Sequence, residues 1–198
     1  MIVALLRHAP TAWNAAGRLQ GRADVPLSAP GRATAAQWRA PPGFERAHLV
    51  ASPLGRAVET ARLLGGRDPV LVPELVEMDW GAWEGKTFDA LRTEHAAAFA
   101  EAEAAGLDFR PPGGESYRDV QQRLLGWLAA SAASPGPVLA VTHKGVLNAL
   151  VADVTGWNAI GRPPVKPRTG HAQVVDVHAD GRVVVRAWNV PLAVPPLA

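Results

Sequence analysis

Two histidines in this sequence stand directly after short apolar runs, an arrangement that suits chemistry on an anion. His8 follows Arg7 at the end of the run 2–6, and His143 follows the run 138–142. Open α/β sheets bind their ligands where strands end, because loops supply polar groups there. A cation and an imidazole at such a point indicate an anion site with a nucleophile or an acid–base group. For the first stretch taken alone, an ordinary surface Arg–His pair explains the sequence equally well.

Arg56 is a third candidate for the anion site. It lies in the first turn of a helix predicted over 54–64. The N-terminus of a helix carries the positive end of its dipole, so an arginine there is unfavourable by a few tenths of a kcal/mol or more. An anion bound at that helix start would explain the arginine.

Glu77 and Asn14 are further polar candidates, and both lie in segments predicted as turns or loops. In the segment 74–85, which contains Glu77, alternating glycines and tryptophans fit neither a helix period nor a strand period. A carboxyl group in reach of a reacting atom supplies or removes a proton. The carboxylates that compete with Glu77 for such a role are Glu74, Asp79 and Glu84.

The elements that would position these residues alternate between strands and helices. This pattern predicts an α/β fold with a mainly parallel, helix-covered sheet. Asp180 and Gly181 separate two alternating runs, which predicts a β-hairpin and hence an antiparallel edge. The predicted strands are 2–6, 48–51, 70–72, 138–142, 172–178 and 182–188, and the predicted helices are 29–39, 54–64, 87–105, 116–132 and 145–154.

Size and composition exclude several classes of protein. A chain of 198 residues suits one domain over 1–198, and 48% hydrophobic residues suit a globular fold. A net charge of +2 without a basic run gives no support for nucleic-acid binding. The absence of cysteine excludes disulfides, thiolate zinc sites and a cysteine nucleophile. No apolar run approaches the roughly 20 residues of a membrane span, so we expect a cytoplasmic protein that does not bind membranes.

Seven short blocks in this chain resemble the histidine phosphatase superfamily, which has the phosphoglycerate mutase-like fold. Each block is weak alone, but together they occur in the order found in that family. The blocks are 6–14 (LRHAPTAWN), 19–22 (LQGR), 26–28 (PLS), 52–61 (SPLGRAVETA), 75–85 (LVEMDWGAWEG), 113–116 (GGES) and 141–146 (VTHKGV).

The resemblance implies a three-layer α/β/α sandwich and a role for each matching residue. His8 would be the nucleophile that becomes phosphohistidine, and Glu77 would be the general acid. The phosphate pocket would consist of Arg7, Arg56 and His143, and the substrate-binding residues would be Asn14, Gln20, Gly21 and Lys144. Two residues depart from the family pattern: Ala9 replaces a usual glycine, and Lys144 replaces a small or polar residue.

Physical chemistry supports these roles independently. Phosphoryl transfer spreads negative charge over oxygens, which two arginines and a histidine donor would stabilise. Nearby cations lower the pKa of a histidine, so the lone pair of His8 would stay free at neutral pH. We expect a backbone carbonyl to hold the other ring nitrogen of His8 as N–H.

The most compatible function is metal-independent hydrolysis of a small phosphorylated metabolite, without a cofactor, by a monomer or homodimer. The pattern is most similar to small bacterial phosphatases, among them those acting on α-ribazole phosphate. Only 27 residues separate Gly85 from Gly113, which favours an open site over a mutase-type lid. The alternatives are a phosphoglycerate mutase, a phospho-ligand binding module without turnover, and a metallohydrolase with His8, Glu77 and His143 as ligands. Flanking arginines would repel the metal in the last case.

Overall fold

Six strands form one sheet in the computed structural model, which describes residues 1–192. The sheet order is β3-β2-β4-β1-β5-β6, and the first four of these strands are parallel. β5 runs antiparallel to both of its neighbours, so the predicted mainly parallel sheet with an antiparallel edge hairpin is confirmed. The strands are β1 (Ile2–Arg7), β2 (His48–Ala51), β3 (Val70–Leu71), β4 (Val138–Thr142), β5 (His171–Val177) and β6 (Val183–Pro191).

Local signals account for the ends of several helices. The Ser28 and Ser116 hydroxyls each accept a hydrogen bond from a backbone N–H in the first turn that they cap. Left-handed glycines, Gly66 and Gly156, end α3 and α7. The helices are α1 (Ala12–Ala15), α2 (Ala29–Gln37), α3 (Gly55–Gly65), α4 (Phe88–Glu94), α5 (Ala96–Ala104), α6 (Tyr117–Ser131) and α7 (Lys144–Thr155). None of these helices is long and apolar enough to cross a membrane.

The single helix predicted over 87–105 is wrong, because the chain breaks at His95, where φ is −134° and ψ is 38°. Leu91 and Phe99 are both buried in the core beneath α4 and α5. Positions eight apart share one face of a continuous helix, so burial of these two side chains does not by itself require the break. The break changes the direction of the chain, and each of the two short helices then buries one apolar side chain.

The short helix α1 was not expected in the turn that follows β1. A capping box forms it: the Thr11 hydroxyl accepts from the Asn14 N–H, and Asn14 Oδ1 accepts from the Thr11 N–H. This places the chain after His8 in a compact turn.

Two apolar clusters cover the two faces of the sheet, which gives the predicted three layers. Val3 and Leu5 of β1 face the cluster that includes α6 and α7, and Ala4 and Leu6 face the one that includes α2 and α3. All four side chains are fully buried. β1 is thus fixed on both faces, and its polar carboxyl end is held rigidly at the sheet edge.

Candidate active site

The carboxyl ends of three adjacent parallel strands bring three polar residues together. Strand pairing continues past the formal strand ends, since the His8 N–H donates to the Thr142 carbonyl at 2.9 Å and the Ser52 N–H donates to the Val141 carbonyl at 3.0 Å. The imidazole rings of His8 and His143 consequently lie with centroids 5.1 Å apart and planes tilted by 57°.

The ring of His8 is buried and its proton position is defined by one contact. Nδ1 lies 2.7 Å from the carbonyl oxygen of Ala9. A carbonyl only accepts hydrogen bonds, so Nδ1 carries the proton and Nε2 of the neutral ring keeps a lone pair. Burial, with the charges of Arg7 and Arg56, lowers the pKa of His8 well below its usual value. His8 therefore remains an uncharged potential nucleophile at neutral pH.

His143 presents an N–H to the same site. Its Nε2 lies 2.7 Å from Ser52 Oγ, which also accepts from the Leu54 N–H at 3.3 Å. The Ser52 hydroxyl proton is thus available to Nε2, which leaves the ring proton on Nδ1. Burial, followed by the charges of its neighbours, lowers the pKa of His143 well below its usual value, so the ring is neutral.

Three buried donors point to an anion. Arg7 Nε, Arg56 Nε and His143 Nδ1 have no hydrogen-bond partner among residues 1–192. An unsatisfied buried polar group costs about 1–3 kcal/mol, so three at one strand edge need an explanation. A bound tetrahedral oxyanion offers acceptors to all three. The Arg56 guanidinium is oriented for this by two loop carbonyls, those of Gly21 and Ala23, each at 2.7 Å.

Glu77 is fixed against the first turn of α7. Its Oε1 accepts from the N–H groups of Met78 and Gly145, each at 2.9 Å, so Oε2 is the oxygen left for proton exchange. Burial raises the pKa of Glu77, although these two bonds and the two arginines oppose the shift. A Cβ at position 145 would overlap the Glu77 carboxylate, so this position requires glycine.

The four substrate-binding residues expected from the sequence differ in their burial and in their contacts. Gln20 is buried, and its Oε1 has no partner among the described residues. Gly21, with φ of 54°, supplies the carbonyl that holds Arg56. The oxygen of Asn14 is used in the cap of α1, so its contact with substrate stays a prediction. Lys144 begins α7 beside His143 and lines a cavity.

Sequence reasoning missed residues that position the catalytic candidates. Ser52 orients His143, and Gly145 admits Glu77; both stood in the quoted blocks but had no role assigned. Thr60 accepts from the Ala9 N–H at 3.0 Å and donates to the Arg56 carbonyl at 2.7 Å, which ties α3 to the end of β1. No local signal marks that contact, because its partners lie 51 residues apart.

The loop that holds Arg56 is itself fixed by two carboxylates. Asp24 Oδ1 accepts from the Gly55 N–H at 2.8 Å, at the start of α3. Glu84 accepts from the N–H groups of Arg22 and Ala23. Glu84 therefore organises the phosphate-pocket loop, a role different from the acid role that was considered for it.

The geometry gives no support to the metallohydrolase alternative. Within residues 1–192, no group of three or more His, Asp or Glu side chains is placed to hold a metal ion. The charges of Arg7 and Arg56 act on each of the three proposed ligands, and they would repel a divalent cation there.

Comparison with known proteins agrees with the geometry. The family described as "Histidine phosphatase superfamily (branch 1)" matches residues 3–191. A relative named "Probable phosphoglycerate mutase GpmB" from Enterobacter sp. (strain 638) is 32% identical, over 96% of this chain and 91% of its own.

Solved structures give the same result. A mycobacterial glucosyl-3-phosphoglycerate phosphatase in complex with VO3 superposes with a TM-score of 0.78 at 28% identity, covering 96% of this chain and 98% of its own. An Escherichia coli K-12 protein named as a candidate alpha-ribazole-5'-P phosphatase gives a TM-score of 0.78 at 26% identity, covering 98% of both chains. These matches confirm the resemblance, the fold and a phosphatase-type enzyme: the chain belongs to the histidine phosphatase superfamily.

Proposed function

We propose that this protein hydrolyses small phosphomonoesters through a phosphohistidine formed on His8. The observation that carries the proposal is the set of three unpartnered donors, Arg7 Nε, Arg56 Nε and His143 Nδ1, beside the free Nε2 of a neutral His8. Donors aimed at developing oxygen charge in a buried site stabilise the transition state of phosphoryl transfer.

The first chemical step transfers the phosphoryl group to the enzyme. Nε2 of His8 uses its lone pair to form a bond to phosphorus while the bond from phosphorus to the ester oxygen breaks. Glu77 Oε2 gives its proton to the departing alkoxide, which leaves as the alcohol. The Ala9 carbonyl stabilises the positive charge that the ring acquires, through the Nδ1–H bond.

The second step releases phosphate. A water molecule attacks phosphorus, and Glu77, now a carboxylate, takes the proton from that water. The bond from Nε2 to phosphorus breaks, the lone pair returns to His8, and inorganic phosphate leaves. The enzyme regains its starting protonation after each turnover.

A mutase is the second candidate, because several close relatives carry the name "Probable phosphoglycerate mutase GpmB". Hydrolysis is favoured by the short segment between Gly85 and Gly113 and by structural neighbours that are named phosphatases. α-Ribazole 5'-phosphate is one substrate to test first. A cytoplasmic location and a monomeric or homodimeric state stay predictions.

The test is phosphate release from a panel of phosphomonoesters, with wild type and His8→Gln compared. We expect wild type to release phosphate, and the variant to lose several orders of magnitude in kcat, because the covalent route is removed. Brief reaction with ³²P-labelled substrate should trap acid-labile, base-stable phosphate on wild type alone. Substantial turnover by folded His8→Gln would overturn the mechanism.

A further inference from the structure

A cavity of about 980 Å³ opens beside the catalytic residues and has no role in the chemistry described so far. Its wall includes Lys144 and Asn148, one turn apart on α7, together with Tyr117 at the start of α6. Lys144 lies between His143 and Gly145, whose N–H holds Glu77. The cavity is thus placed to receive whatever is attached to a phosphoryl group at His8.

The charge of the cavity wall is unbalanced. Glu103 is the one acid among the residues of the wall, and it pairs with Arg92 at 3.2 Å. For the other cations of the wall, Lys144, Arg162 and Lys166, no carboxylate oxygen in residues 1–192 lies within 4 Å.

Lys144 reaches solvent, and its ammonium lies near two other cations. Partial loss of solvation and the charges of Arg7 and Lys166 lower its pKa, and Glu77 only partly opposes them. Arg7 belongs to the phosphate pocket, whereas Lys166 lines the cavity together with Lys144. An anion held by both lysines would relieve their repulsion.

Aromatic side chains form part of the remaining wall. Trp80 and Phe109 both line it, and both are almost fully buried. On the opposite wall, Trp157 Nε1 donates to the Ile160 carbonyl at 2.9 Å. Gly106 approaches this loop so closely that a Cβ there would overlap the Asn158 carbonyl. These contacts support the conformation of the segment 157–160, part of which lines the cavity.

We propose that this cavity binds the leaving-group half of the substrate, and that this half carries a second anionic group, a carboxylate or a phosphate, held by Lys144 and Lys166. The aromatic wall packs against the apolar or ring-shaped body that links the two anionic groups. This inference rests on the proposed phosphatase function, and it adds the charge class of the substrate.

Three esters with the same benzylic leaving oxygen test the inference. Benzyl phosphate has no second anion, 4-carboxybenzyl phosphate adds a carboxylate, and 1,4-bis(phosphonooxymethyl)benzene adds a phosphate. We expect wild type to show a kcat/KM at least about tenfold higher for one or both of the charged esters. The preferred one identifies the anion. The preference should decline as ionic strength rises, because Lys166 is exposed.

Lysine variants connect this preference to the cavity. Lys166→Met should reduce the charged-to-neutral ratio by about threefold, the magnitude expected for an exposed ion pair. The double variant Lys144→Met/Lys166→Met should abolish the ratio, and Lys166→Arg should restore most of it. Lys86→Met is the matched control, since Lys86 lies outside the cavity and pairs with Glu94, and it should keep the wild-type ratio.

Two results would overturn the inference: equal kcat/KM for the three esters, or a preference that survives in the double lysine variant. Either result leaves the proposed function intact if His8-dependent phosphate release continues. If wild type releases no phosphate from these three esters or from the wider panel of phosphomonoesters, the proposed function fails instead. The cavity is then tested by calorimetry with benzylphosphonate and 4-carboxybenzylphosphonate, where equal Kd values would overturn the inference as well.

Discussion

His8 and His143 both carry their ring proton on Nδ1, but they present opposite kinds of group to the site. His8 uses its Nδ1–H on the Ala9 carbonyl and exposes a lone pair, whereas His143 uses its Nε2 on Ser52 and exposes an N–H. In the proposed reaction, one ring is thus the electron-pair donor and the other a hydrogen-bond donor to the same phosphoryl group. The difference arises from one neighbouring atom in each case, a carbonyl that only accepts and a hydroxyl that can donate.

At the scale of single residues, the pKa shifts of His8 and Glu77 predict the pH dependence of kcat/KM. The pKa of His8 is lowered, so protonation of His8 should not reduce activity until pH is well below 6.5. The pKa of Glu77 is raised, so its protonated form persists above pH 4.5, and activity on an alkyl phosphate should decline as pH passes the shifted value.

Profiles for wild type and Glu77→Gln, measured with benzyl phosphate and 4-nitrophenyl phosphate, check this assignment. The substrate's own ionisation is common to both enzymes and cancels in their ratio. Wild type should show an alkaline decline with the alkyl ester that Glu77→Gln lacks, because the variant has no proton to lose. With the aryl ester, whose leaving group needs little protonation, the two profiles should be parallel. An identical alkaline decline in both enzymes would move the acid role to another residue.

At the scale of secondary-structure elements, the start of α7 contributes two residues to the candidate site, and these lie only two positions apart in the sequence. His143 precedes the helix and leaves its Nδ1–H without a partner among the described residues, and the Gly145 N–H within the first turn holds Glu77, the proposed acid. α3 positions Arg56 in the same way, with Thr60 one turn later tied to the Ala9 N–H. Each helix start therefore couples a catalytic candidate to its support.

This arrangement predicts a specific defect in Gly145→Ala. The new Cβ would displace the Glu77 carboxylate, so we expect a loss of about tenfold or more in kcat/KM for benzyl phosphate and a smaller loss for 4-nitrophenyl phosphate. Gly126→Ala in α6 is the control, because nothing lies within 4 Å of a Cβ there. That change should keep activity and stabilise the fold by about 0.4–1 kcal/mol in thermal unfolding. Equal losses on both esters in Gly145→Ala would indicate general disruption of the site.

At the scale of the whole molecule, the features that could be predicted from the sequence are those that depend on local residue patterns and on the order of the strands. The apolar runs before His8 and His143 specify buried strands, and parallel pairing of β1 with β4 brings the two residues together. The contacts of Ser52 with His143 and of Glu77 with Gly145 span 91 and 68 residues, and no periodicity encodes them. The break at His95 was missed for the same reason, since the alanine-rich segment has helical propensity on both sides of it and no local pattern marks the change of direction.

The segment that contains this break also bears on the choice between hydrolysis and mutase-type transfer. Between Gly85 and Gly113 the chain forms α4 and α5, and their Leu91 and Phe99 are buried in the core. A segment anchored in this way forms a wall beside the site, and it leaves little chain to cover a phosphohistidine.

Water should therefore reach phospho-His8 before a phosphorylated intermediate can turn around and accept the group. We expect rapid release of inorganic phosphate from several small phosphomonoesters, and negligible interconversion of 2- and 3-phosphoglycerate. The measurement is parallel assay of both reactions with one enzyme preparation and a 2,3-bisphosphoglycerate primer, with His8→Gln as the background for each. Mutase turnover much faster than phosphate release would show that α4 and α5 exclude water from the site and that the protein transfers the phosphoryl group between substrate hydroxyls.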